Sequence, residues 1–276
     1  MLNFSSGNYG LDQAYLLMEK NIEKIKTDIV ILGVVPSTIV RILCVWKHYN
    51  EFGNTFGFKP RFELQDGELK LVKNIISSEE KLRTYRHYLP ELQAHDYFYK
   101  TKFRDEMIRF PYLFHTLRKP FRNIPLIAAL LASRSLRVAH IRIKRLDEYP
   151  MMKIMHINKL LRIGLFRKEF ATDIFLGIVD KFAQLARQHR FTPVFLLMPQ
   201  KDDILYIRKR GAYYAQCMKR VSEKMQTIDL TEALLNAPDL DALYSDDNVY
   251  GGHFSPAGNA FVAETIFTRL RSEGVL

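Results

Sequence analysis

The run Asp28-Ile-Val-Ile-Leu-Gly33 limits the possible folds more than any other stretch of this chain. It is too short for a stable helix and apolar on both sides of a two-residue period. As a strand it must therefore be covered on both faces. Thr192-Pro-Val-Phe-Leu-Leu-Met198 and Thr227-Ile-Asp-Leu230 have the same character. Segments of helical period lie between and around these runs. Strands of this kind alternating with helices predict an α/β fold built on a parallel sheet. Leu2-Asn-Phe4 is a candidate for a fourth strand.

The helices follow from spacing. Residues 11–25 are amphipathic and lead into the first clear strand. In 168–189, Phe170, Ile174, Ile178, Phe182 and Leu185 recur every three or four residues. Residues 204–225 read as a long basic helix with a break near Gly211. Residues 256–270 close the pattern, with Ser255 as N-cap and Pro256 at the first helical position.

The middle of the chain has a different texture. Residues 58–72 alternate apolar and polar on both sides of Asp66-Gly67, which predicts a β-hairpin. A helical, aromatic and basic block follows, punctuated by Pro90, Pro111, Pro120, Pro125 and Pro150. Hairpin and block together read as one insertion, at about 58–167, in a single domain spanning 1–276. The aromatics Tyr85, Tyr88, Tyr97, Phe98, Tyr99, Phe110, Tyr112 and Phe114 are expected to be core. Pro125-Leu-Ile-Ala-Ala-Leu-Leu-Ala-Ser133 is far short of the roughly 20 residues a membrane span needs and reads as a buried helix. No signal peptide is visible, so a cytoplasmic setting is expected for the chain as it stands. Cys44 and Cys217 lie in apolar surroundings without CxxC spacing and read as buried free thiols.

The net charge of +11 is uneven. Thirteen lysines and arginines between 118 and 168 face only Asp147 and Glu148. Such a stretch is either a solvated helical face or a binding surface for an anionic polymer or membrane. No zinc-finger, RNP or KH spacing accompanies it, so specific nucleic-acid recognition is not expected.

Sites in open parallel sheets form at the C-terminal ends of strands. Three loops qualify: Ser5-Ser-Gly7-Asn8-Tyr-Gly10, Gly33-Val-Val-Pro-Ser37-Thr38, and Asp246-Asp247-Asn-Val-Tyr-Gly-Gly-His253. None has GxGxxG or Walker spacing, and no cofactor is expected. His253 follows two glycines and precedes a helix, a good place for a general base oriented by an upstream carboxylate. His253 with Asp246 and Asp247 is too sparse for a metal centre.

Two of these stretches carry a family likeness. Residues 2–16 resemble the second block of the SGNH, or GDSL-type, hydrolases, and residues 250–264 resemble the fifth block, where the family's catalytic histidine precedes a helix. The strand at 28–33 is similar to the third-block strand, and the Lys59-Pro-Arg-Phe62 segment to a subgroup associated with bacterial surface-polysaccharide clusters. The resemblance implies a three-layer α/β/α sandwich with a flavodoxin-like parallel sheet, here lacking its first strand. It implies an ester hydrolase or O-acyltransferase acting on a small acyl ester or acylated carbohydrate. His253 would be the base, with Asp247 or Asp246 in place of the usual aspartate, whose position holds Tyr250. Gly7 and Asn8 fall on the oxyanion side, and Ser37 and Thr38 in the third-block loop. No residue matches the family's nucleophilic serine; Ser5 and Ser6 lie in the wrong block. The chain is therefore expected to be truncated or inactive. The alternative is a non-catalytic protein that binds an anionic polymer or membrane surface through its basic insertion.

Overall fold

The computed structural model describes residues 2–51, 53–245 and 252–276. The chain is mostly helical and holds a small parallel sheet. The three apolar runs form it: β1 (Ile29–Val34), β4 (Thr192–Leu197) and β5 (Gln226–Asp229), in the order β1-β4-β5. Register places Ile31 beside Val194 and Leu196 beside Ile228. Thr192 N–H donates to Asp28 C=O and Met198 N–H to Val34 C=O. Even-numbered residues of β4 therefore bond to β1 and odd-numbered ones face β5. Pro193 lacks an N–H on the β5 side, which is tolerated because the β4–β5 ladder begins only at Val194.

β1 has one strand partner among the described residues, and Ile31 is 41% exposed. Leu2, Asn3 and Phe4 form no strand, contrary to expectation. Leu2 is 69% and Phe4 46% exposed, so neither is buried as a core strand would bury it.

The chain divides into two compact units. The first comprises Met1–Ile42, Pro60–Val72 and Arg162–Leu276. Its core joins Val194, Leu196 and Ile228 of the sheet to Ile204, Leu234, Val262 and Leu270 of helices. Phe195 lies edge-on to Phe175 of the Glu169–His189 helix, which buries Ile174, Ile178, Phe182 and Leu185 at the expected spacing; Phe170, expected on the same face, is 38% exposed in the first turn. The expected helix at 204–225 is two helices, Lys201–Arg210 and Ala215–Ser222, separated at Gly211. The hairpin pairs β2 (Arg61–Gln65) with β3 (Glu68–Val72), and Asp66 and Gly67 both have positive φ, the backbone that a tight two-residue turn requires. The hairpin belongs to this first unit.

The second unit comprises Leu43–Lys59 and Lys73–Leu161. Its organising group is the buried Asp96 carboxylate. One oxygen accepts from Val45 and Trp46 N–H, the other from Phe98 and Tyr99 N–H. The Trp46 ring stacks on Phe58 and meets Tyr49 edge-on. Phe98 is fully buried as expected, but Phe110, Tyr112 and Phe114 are 81%, 66% and 60% exposed. The apolar run at 125–133 lies within the Pro120–Val138 helix, which buries Leu126 and Ala129 but leaves Leu130 and Leu131 more than half exposed. It is buried on one side only. Cys44 and Cys217 are free and buried.

Candidate functional site

The first loop is built around a turn at Ser6–Tyr9, closed by Tyr9 N–H donating to Ser6 C=O, with Asn8 in the left-handed region at φ 69°. Asparagine tolerates that conformation better than most residues. Arg41 Nη1 donates to Tyr9 C=O at 3.0 Å, and Leu11 N–H donates to the Thr38 hydroxyl at 2.7 Å. The Thr38 hydroxyl thus satisfies a free N–H at the start of the Leu11–Asn21 helix. The loops bearing Gly7–Asn8 and Ser37–Thr38 are therefore held together beyond the end of β1. The Ser37 hydroxyl is buried and has no hydrogen-bond partner among the described residues.

His253 is fixed at the exit of β4. Its carbonyl accepts from Ser245 N–H at 2.9 Å and from the Ser245 hydroxyl at 3.2 Å. Tyr244 and Phe254 pair as an antiparallel bridge and stack their rings at 5.0 Å. The Tyr244 hydroxyl donates to Pro199 C=O, just past β4. Gly252 has φ 95°, and a Cβ there would lie 2.8 Å from the Tyr244 ring and 2.9 Å from Lys201 Cβ. Only glycine meets both demands. On the other side Ser255 caps the Pro256–Ser272 helix, accepting from Gly258 N–H and donating to Ala242 C=O at 2.6 Å. The His253 side chain is exposed between these two anchors. Asp246, Asp247 and Tyr250 lie outside the described residues.

A third group was not anticipated. Arg162, counted within the basic block as surface charge, is buried. It reaches Asp202 at 3.0 Å and Asp203 at 2.5 Å, and Asp203 is wholly buried. Asp203 also accepts from the Tyr213 hydroxyl at 2.6 Å and from Gln200 N–H at 3.0 Å. Burial works against the Arg162 charge, but Asp203, Tyr213 and Asp202 outweigh it and hold the guanidinium above the ordinary arginine range. Burial pushes the Asp203 carboxyl up against the pull of Arg162. Burial also raises Tyr244, helped by Asp203 and Asp202. Nothing in the sequence pairs Arg162 with residues about forty positions away.

The cavity that Asp229 borders is about 350 Å³, lies at the end of β5 and is also lined by Thr227, Thr231 and Arg269. Burial raises the Asp229 carboxyl despite its hydrogen bonds from Thr231. No group of three metal-binding side chains gathers anywhere among the described residues. No family model, curated protein or solved structure matches this chain.

Proposed function

We propose that the chain is an SGNH-type relative of ester hydrolases and O-acyltransferases that recognises acylated carbohydrate. On this reading the parallel sheet is the centre of a three-layer α/β/α sandwich. The observation that carries it is the exposed imidazole of His253, fixed at the end of the central strand between Gly252 and the Ser255 cap. Acyl transfer needs an attacking oxygen, a base to take its proton, and N–H donors for the developing oxyanion. His253 is the base, oriented by Asp247 or Asp246. Gly7 and Asn8 lie in the turn that supplies donors, with Ser37 and Thr38 beside it. These 276 residues contain no match to the nucleophilic serine, so base-assisted attack by water is the route left, and its rate is small.

The test uses glucose pentaacetate and p-nitrophenyl acetate. The chain is expected to bind glucose pentaacetate, to lose that binding on His253→Ala, and to hydrolyse p-nitrophenyl acetate no faster than free imidazole. Absence of binding, or rapid turnover that survives His253→Ala, refutes the reading.

A further inference from the structure

We infer that the outer side of residues 107–160 docks on the surface of an anionic lipid bilayer. The Pro120–Val138 helix is apolar on two opposite sides. Asn123, Leu126 and Ala129 are buried and define its inner side. At 3.6 residues per turn, Phe121, Ile124, Leu131 and Val138 fall on the opposite side. They are 89%, 48%, 60% and 83% exposed, and no charged residue falls on their stripe. Leu113 before this helix and Ile141 after it are 73% and 50% exposed. Soluble monomers rarely leave so extended an apolar surface in water.

Charge selects the occupant. Eleven lysines and arginines between 107 and 160 share the segment with two acids, so it carries most of the chain's net +11; Arg118 and Arg122 pair with Asp105 and Glu106 just before it. Asp147 is taken by Arg137 and Glu148 by Lys144. Arg142 lies in the field of Asp147, whereas Lys119, Arg134 and Arg145 form no ion pair with a carboxylate among the described residues, and Arg134 flanks the apolar stripe. Large apolar side chains bordered by uncompensated cations fit the boundary between headgroups and acyl chains of an anionic bilayer. A nucleic acid or acidic polysaccharide would use the cations and leave Phe121 and Val138 in water. A protein groove would cover the apolar stripe and leave the cations unused. Among the described residues no helix is long and apolar enough to cross a membrane, which fits a segment that lies on one.

The experiment is co-sedimentation of the whole chain with vesicles of phosphatidylglycerol and phosphatidylcholine in equal parts, and of phosphatidylcholine alone. The protein should pellet with the anionic vesicles only, and less at about 500 mM than at about 50 mM salt. Arg142→Glu/Arg145→Glu should weaken partitioning at least about tenfold. Phe121→Asp/Leu131→Asp should abolish it with an unchanged circular dichroism spectrum. Phe121→Trp, which leaves the surface apolar, should show a blue-shifted emission when anionic vesicles are added. Equal binding to neutral vesicles, binding that survives the double aspartate change, or no binding and no blue shift overturns the inference. So does a dimer in light scattering that the aspartate variant converts to monomer, since the surface then belongs to a second copy. None of these readouts involves ester binding or turnover, so their failure leaves the acyl-transfer reading standing.

Discussion

Replacing Arg162 with leucine is expected to destabilise the first unit severely. The guanidinium is the cation that faces Asp203 at 2.5 Å and Asp202 at 3.0 Å. Asp203 has no solvent exposure, so the variant leaves a carboxylate with only the Tyr213 hydroxyl and the Gln200 N–H for compensation. Breaking a buried pair from one side costs about 3–5 kcal/mol. That is at least about a fifth of the ~5–15 kcal/mol typical of a folded domain. With a urea dependence of about 2–3 kcal/mol per M, the midpoint should fall by about 1–2.5 M. The loss should be smaller at pH 5 than at pH 7, because an unpaired buried carboxyl protonates instead of staying charged. Adding Asp203→Asn removes the stranded charge, so the double variant should recover about half of the loss. A single-variant cost below about 1 kcal/mol, or strictly additive costs in the double-mutant cycle, would refute the claim that the pair acts as a unit.

Ser255→Ala should cost about 1 kcal/mol through loss of the cap on the Pro256–Ser272 helix, read as a lower urea midpoint. Gly252→Ala should lower the melting temperature and disorder the His253 loop, because the new Cβ meets Tyr244 and Lys201 at a φ that costs about 1–3 kcal/mol. Asp229 has a raised folded pKa, so its favourable contribution is complete below the ordinary carboxylate range and is lost as pH rises through the folded value. Asp229→Asn keeps an acceptor for both Thr231 bonds and should therefore raise the melting temperature at pH 7 and flatten its dependence above pH 4. The Cys217 thiol is pushed up to about 12 by burial, so a thiol reagent at pH 8 should label Cys217 only after denaturant is added.

The sheet was legible because its strands are apolar on both faces, a pattern few other elements share. The hairpin was legible because Asp66-Gly67 supplies the two positive φ values that its turn needs. The anchors of His253 were legible as Gly252 and Ser255, residue types selected by backbone geometry. Arg162 was not, since the sequence around it reads as a basic helical face and its partners Asp202 and Asp203 begin a different helix. The Pro120–Val138 helix was half legible. Composition shows that it is apolar, but only packing shows which side has a neighbour. Leu2-Asn-Phe4 has strand-like composition, yet no strand among the described residues pairs with it.

The most direct test of the acyl-transfer reading is histidine-selective NMR of the chain, with the His253 resonance assigned from the His253→Gln variant. Addition of glucose pentaacetate should shift His253 and leave the other seven histidines in place. A spectrum in which His253 does not move, or in which only histidines of the second unit move, would contradict the placement of the site at the exit of β4.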